Sequence, residues 1–337
     1  MQHSYCIAVD AMGGDFGPRI TVEASLAVLK DYPDLSITLV GDQEQIAPYL
    51  PKDANSQLSL VHASSVITAD MRVISALREG SDSSMQLALD QLASGSACAV
   101  VSAGNTGALM ALARRTLGMI QGIDRPAISA AMPTLKGECQ VVDLGANLDS
   151  SPEMLKQFAV LGRALVRVTT GRDPKIGLLN VGSEETKGNE TLREASAQIA
   201  ELPEVNYIGF VEGADLFVGE ADLIVCDGLV GNVALKSSEG VAKLLAHRLR
   251  QVFAGSLYSK VIAWLASPML TALTKSLDSG QRNGALFLGL NGLVVKSHGA
   301  ANANDFKAAL ENTLNMLKAD LPNQLADQVA RDLNSSP

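Results

Sequence analysis

Lysines and asparagines set among glycines are the residues of this chain best placed to do chemistry. Asn232 and Lys236 stand four apart, after Asp227, Gly228 and Gly231, behind the apolar run Leu223-Ile224-Val225-Cys226. Such a run reads as a buried parallel strand. The glycines break it, and Asn232 is expected to cap the helix that follows with its side-chain oxygen. Lys236 then shares a face with Asn232 and leans toward the helix N-terminus, where free N–H groups and the helix dipole favour an anion. The alternative is a plain strand-to-helix turn with a surface lysine, and this stretch alone leaves both open.

Similar junctions recur. Ile7-Ala8-Val9 runs into Asp10, Gly13, Gly14 and Asp15, and Val100-Val101 runs into Ser102, Gly104, Asn105, Thr106 and Gly107. Small residues there leave room for a ligand against the backbone. Ile176 to Leu179 ends at Asn180, followed by Lys187 among Glu184, Glu185 and Glu190, which are expected to keep it charged and in place. Arg78 with Ser81, Ser83 and Ser84 fits a phosphate contact or a solvated helix start equally well. Lys296 and His298 alternate toward one face of a strand that ends at Gly299, so both can point into one cleft. Neither GxGxxG nor GxxxxGK[ST] is present, and no GxSxG elbow or SxxK pair advertises a covalent nucleophile.

The elements that must position these residues alternate between strand and helix, and at least five strands end in Gly, Asn or Asp turns. That predicts an α/β fold with a mainly parallel sheet and helices on both faces. Ligands in such sheets sit at the carboxyl ends of the strands, where these turns are expected to gather. The 337 residues suit one catalytic α/β unit, with two interleaved lobes as the alternative arrangement.

Composition narrows the function. A net charge of −9 and 4% aromatic residues argue against nucleic acid as a partner. His3, His62, His247 and His298 have no metal-ligand spacing, and Cys6, Cys98, Cys139 and Cys226 form no CxxC pair. No metal or cofactor is expected, and scattered thiols in apolar runs suit a reducing, cytoplasmic setting. The N-terminal residues lack a signal-peptide core, and no stretch reads as a membrane span.

One segment departs from the acidic average. Gly240 to Leu277 contains no Asp or Glu, yet it carries Lys243, Arg248, Arg250, Lys260 and Lys275. Leu257, Val261, Trp264 and Leu265 recur at helical spacing before Pro268, and Leu270 and Leu273 after it. Residues 255–279 therefore read as an amphipathic arm for a membrane surface, an acidic partner or a dimer contact.

Taken together, Asp10-Ala11-Met12-Gly13-Gly14-Asp15, Ser102-Ala103-Gly104-Asn105-Thr106-Gly107, Leu179-Asn180-Val181-Gly182, Lys187-Gly188 and Cys226-Asp227-Gly228 closely resemble the bacterial phosphate acyltransferase family, PlsX. Val142 to Asn147, Gly231-Asn232 with Lys236, and Lys296-Ser297-His298-Gly299 match as well, so the resemblance spans about Ile7 to Phe306. Val73 departs from a proline of that family, and Phe210 from an asparagine. The resemblance implies transfer of a fatty acyl group from acyl carrier protein to inorganic phosphate, giving acyl phosphate for phospholipid synthesis. It also implies a homodimer, peripheral attachment to the inner face of the cell membrane, and a fold similar to phosphotransacetylases and isocitrate or isopropylmalate dehydrogenases.

Phosphate is already an anionic nucleophile, so the site must mainly hold it against the thioester and stabilise an oxyanion. On this reading Lys187 and Lys236 hold phosphate, with N–H groups of the Gly104–Gly107 and Gly228–Gly231 turns. Asn105, Asn180 and Asn232 orient it or donate to the oxyanion, Asp10, Asp15 and Asp227 position the lysines, and His298 can supply a proton. Arg114-Arg115 and the basic arm are candidate surfaces for the acidic carrier protein. The rivals are a phosphotransacetylase using acyl-coenzyme A, a dehydrogenase of similar fold, and a non-catalytic membrane scaffold for lipid enzymes.

Overall fold

A computed structural model describes residues 5–51, 56–254, 262, 265–267, 269 and 283–334. The strands are β1 (Tyr5–Asp10), β2 (Leu35–Gly41), β3 (Leu58–His62), β4 (Ala99–Ser102), β5 (Ala127–Thr134), β6 (Gly137–Val142), β7 (Lys175–Leu179), β8 (Asn206–Val211), β9 (Leu223–Val225), β10 (Ala285–Leu288) and β11 (Leu293–Lys296). The helices are α1 (Pro18–Asp31), α2 (Gln43–Ile46), α3 (Val73–Glu79), α4 (Ser84–Ala93), α5 (Thr106–Leu117), α6 (Pro152–Thr170), α7 (Glu190–Ala200), α8 (Gly228–Ala254), α9 (Ala303–Lys318) and α10 (Leu321–Asn334). All eleven strands join one sheet in the order β3-β2-β1-β4-β11-β10-β5-β6-β9-β7-β8.

Alternation along the strands feeds two cores. Ile7 and Val9 pack with Val22 and Val28 of α1 and Phe306 and Leu310 of α9. Ala8 and Val100 pack on the other face with Met85 and Leu89 of α4 and Leu109 and Leu112 of α5. Local signals set the helix starts: Asn105 caps α5 by accepting from the Ala108 amide, and Ser151 caps α6 with proline in its first turn. Val73 occupies the first turn of α3, a place where proline is also tolerated. Phe210 is buried in β8.

The sheet is mainly parallel, as expected, but three antiparallel pairs interrupt it. β1, β2, β3, β4 and β11 run parallel. The pairs β11–β10, β10–β5 and β5–β6 are antiparallel, after which β6, β9, β7 and β8 are parallel again. Three reversals leave the last four strands opposed to the first five. The glycine turns therefore do not gather at one edge: those after β6, β7 and β9 leave from the opposite edge to those after β1, β4 and β11.

Helix α8 spans this separation. It starts at Gly228, a turn earlier than Asn232, because Asp227 is the capping residue: its carboxylate accepts from the Leu229 amide at 2.9 Å and from Ser150 at 2.9 Å. Cβ atoms at Gly228 and Gly231 would collide with the carbonyl oxygens of Asn147 and Asp143, so both glycines let the helix lie against the 143–147 turn. From there α8 carries Lys236 to the end of β11.

Candidate functional site

Three adjacent parallel strands end in one row. Register pairs Asp10 with Ser102 and Ser102 with Lys296, so the last residues of β1, β4 and β11 stand side by side. Ser102 Oγ donates to Asp10 Oδ2 at 2.6 Å, and Ser84 Oγ, from the first turn of α4, donates to Oδ1 at 2.6 Å. Asp10 is buried, and burial raises its pKa above the ordinary carboxylate value, against the lowering pull of these hydroxyls and of Lys296. Gly13 and Gly104 close over the carboxylate. A Cβ at Gly13 would sit 2.7 Å from Asp10 Oδ2, and one at Gly104 would sit 2.6 Å from the Met85 side chain.

Lys296 points its ammonium at two carbonyl oxygens, those of Ala103 at 3.2 Å and of Ser297. Burial lowers its pKa to about 8, with Lys236 pulling in the same direction and Asp10 and Asp15 opposing. Asp15 is held at the rim, where its amide donates to the Gly299 carbonyl at 2.9 Å. The alternation that turns Lys296 and His298 to one face is the sequence signal for this lysine, and the structure brings both to Lys236.

Above this row sit Lys236, Glu239 and His298. Lys236 Nζ lies 3.1 Å from Glu239 Oε2 and 3.1 Å from His298 Nε2. Burial, then Lys236, depresses the His298 pKa, which leaves the ring neutral at pH 7. The Ala300 amide donates to His298 Nδ1 at 3.1 Å, so the hydrogen-bond network assigns the remaining proton to Nε2. Two donors, the Lys236 ammonium and the His298 Nε2–H, consequently face one another. Glu239 Oε2 approaches His298 Nε2 only to 3.8 Å. An anionic oxygen placed between the donors would satisfy both.

The remaining expected residues are placed differently. Asn105 spends its side chain locally: Oδ1 caps α5, and Nδ2 donates to the carbonyls of Ala69 and Met71 at 2.9 and 3.1 Å. Thr106 opens α5, and Gly107 lies against Val73. Asn180 clamps the turn after β7, donating to the Lys187 carbonyl at 3.3 Å and accepting from the Val181 amide at 2.8 Å. Lys187 is exposed, and among the described residues no ion pair joins it to Glu184, Glu185 or Glu190. Asn232 lies inside α8 against Gly145. Asp227 has backbone amides as partners, and Asp10 faces Lys296 rather than Lys187 or Lys236. Ser83 caps α4 and Ser84 serves Asp10, while Arg115 donates to the Leu77 carbonyl and to Gln86.

Neither buried cysteine is set up as a nucleophile. Cys226 is buried, donates to the Asp143 carbonyl at 3.1 Å, and has its thiol pKa pushed up by burial; Cys139 is pushed up to about 12 in the same way. Of the expected arm, Leu265 is described and is 67% exposed. Leu257, Val261, Trp264, Leu270 and Leu273 lie outside the described residues. Among the described residues no helix is long and apolar enough to cross a membrane.

The family model described as "Fatty acid synthesis protein" matches residues 5–324. A phosphate acyltransferase of Pseudomonas syringae is 49% identical over 323 residues, covering 95% of each chain. Another, from Legionella pneumophila, is 47% identical over 332 residues, covering 97% of each. Among solved structures, a phosphotransacetylase from Streptococcus pyogenes aligns with a TM-score of 0.61 at 16% identity, covering 93% of this chain and 94% of that one. A 4-hydroxythreonine-4-phosphate dehydrogenase from Klebsiella pneumoniae aligns with a TM-score of 0.55 at 13% identity, covering 93% and 99%. These last two share the fold. The chain belongs to the phosphate acyltransferase family.

Proposed function

We propose that this phosphate acyltransferase moves a long-chain fatty acyl group from acyl carrier protein to inorganic phosphate, feeding phospholipid synthesis, and that it does so at the junction of β1, β4, β11 and α8. The carrying observation is the pair of donors, Lys236 Nζ and His298 Nε2–H, meeting at 3.1 Å. Such a pair is poised for an oxygen that bears or develops negative charge, and preorganised donors of this kind lower the barrier to acyl transfer. Phosphate held there attacks the thioester carbonyl, a tetrahedral oxyanion forms, and the C–S bond breaks. His298 acts as a donor to the oxyanion: giving up its Nε2 proton would leave an imidazolate.

Lys187 and Asn180 belong to the proposal as the outer contact. A lysine that is exposed and, among the described residues, without an ion pair, on a turn braced by Asn180, suits the approach of an acidic carrier or a substrate phosphate. A small crevice lined by Gly14, Phe16, Ala103, Gly299 and Phe306 adjoins the Asp15–Gly299 contact at the rim. A homodimer is supported by the apolar face that α8 leaves uncovered at Val233, Val241, Leu244, Leu245 and Val252, together with the amphipathic pattern of residues 255–279. That pattern also supports peripheral contact with the inner face of the cell membrane.

The test is direct. Protein incubated with long-chain acyl carrier protein and phosphate should yield acyl phosphate, trapped as hydroxamate, in a phosphate-dependent manner. Product from acetyl-coenzyme A alone would favour the phosphotransacetylase reading, and no product would favour the scaffold. Loss of vesicle pelleting in the Trp264→Ala, Leu265→Ser protein is expected if the arm meets the membrane.

A further inference from the structure

Lys296 stands in a setting that a purely structural or purely phosphate-binding lysine does not need. An ammonium has three N–H donors, and two are taken by the Ala103 and Ser297 carbonyls. A neutral amine has two N–H donors and one lone pair. Both protonation states therefore keep both carbonyl bonds, and only the third position changes, from a donor to an acceptor. Nothing else in the surroundings must move when the proton leaves or returns. Strand register fixes the Lys296 backbone beside Ser102, and the two carbonyl bonds fix its Nζ, so the third position is held in place.

We infer that Lys296 carries the proton of the acyl transfer: its ammonium protonates the departing thiolate, and the resulting amine takes the replacement proton from the phosphoryl group of the product. This rests on the proposed acyl transfer to phosphate. The balance closes without any other reagent. HPO₄²⁻ attacks through an unprotonated oxygen, forming the C–O bond, and the tetrahedral intermediate collapses with cleavage of C–S. The thiolate takes one proton from Lys296 and leaves as the thiol. The acyl phosphate still carries the P–OH proton of the attacking phosphate; it passes that proton to the amine and leaves as the dianion. The net change moves the phosphate's own proton onto the thiol and restores the lysine.

The surrounding charges suit such a carrier. Asp10 from β1 and Asp15 from the following turn favour the ammonium, whereas burial and Lys236 of α8 favour the amine; His298 also feels the Lys296 charge, and Glu239 pairs with Lys236 behind it. The balance puts the lysine near pH 8, close to a thiol's own ordinary range, where transfer in both directions is nearly isoenergetic. The neighbouring groups are less suited. His298 Nδ1 already accepts the Ala300 amide, and Lys236 is exposed and ion-paired with Glu239.

The experiment compares wild type with Lys296→Arg, which keeps the charge but does not release a proton, on two thioesters of one acyl chain. One has an N-acetylcysteamine leaving group and the other a 4-nitrothiophenol leaving group, whose thiolate departs without protonation. With the alkyl thioester, Lys296→Arg is expected to lower kcat about 100-fold or more, the scale of a lost general acid, while phosphate KM stays within about threefold. With the aryl thioester the loss should shrink to under about tenfold. Equal losses on both thioesters, or an unchanged kcat on the alkyl one, would overturn the inference. Should the variant fail to fold, the wild-type pH profile decides: kcat must fall above about pH 8 with the alkyl thioester and stay flat with the aryl one. An identical limb on both substrates overturns the relay, whereas wild type that makes no acyl phosphate overturns the underlying activity instead.

Discussion

Asp10 and Asp143 are both carboxylates at strand ends, both buried, and both pushed upward in pKa by that burial. They sit on opposed halves of the sheet, and their partners separate them. Asp10 is held by two serine hydroxyls and a single backbone amide, that of Met12, and faces Lys296. Asp143 accepts from the backbone amides of Ile128, Gly145, Ala146 and Asn147 and from the Asn147 side chain. A carboxylate saturated by amides is a fastener for its turn, here the turn on which the start of α8 rests. One that is held by rotatable hydroxyls and faces a cation can respond to a change of charge nearby. Burial and a shifted pKa do not identify a reactive carboxylate; the identity of its donors does.

That contrast can be broken in order of effect. Asp143→Ala should cost about 3 kcal/mol or more, because several buried amides lose their acceptor together, read as a lower midpoint in urea unfolding. A midpoint matching that of Asp10→Ala would erase the distinction between the two carboxylates. Lys236→Ala should lower kcat/KM for phosphate about 100- to 1000-fold, the scale of a lost oxyanion donor, with an unfolding midpoint near wild type. Full activity would remove this lysine, and the donor pair with it, from the mechanism.

Asp10→Asn should act on activity more than on stability. The amide can still accept from one serine, so stability falls by only about 1 kcal/mol. Activity falls about tenfold, and the alkaline limb of the pH profile moves to lower pH. The direction follows because Asp10 raises the Lys296 pKa, so its loss lets the ammonium give up its proton earlier. A limb that stays in place would disconnect the two residues. Smallest of all, Lys187→Ala should weaken the use of the carrier-bound substrate about fivefold, mainly in KM and more at low salt, as for an exposed guiding charge.

Much of this was legible locally. The apolar runs ending in glycine mark real strand ends at Asp10, Ser102 and Val225, and Asn105 and Ser151 cap the helices they precede. Caps and turns depend on residues within four positions, so a single stretch carries the whole signal. The start of α8 shows the limit of that logic. Asn232 is a good capping residue, but Asp227 comes first and finds both its own helix and the Ser150 amide, 77 residues away.

What the sequence by itself determined is the set of parts: an α/β chain with glycine junctions, an aimed Lys236, and a strand whose Lys296 and His298 share a face. What only the tertiary structure decided is which parts meet. The antiparallel β10, β5 and β6 pairings reverse half of the sheet, sending the Asn180 and Asp227 turns to the other edge. Register then sets Asp10, Ser102 and Lys296 in one row across strands separated by 92 and more residues, and α8 brings Lys236 back to them. Strand order and direction are settled by burying both faces of the whole sheet at once, an energy spread over the entire chain.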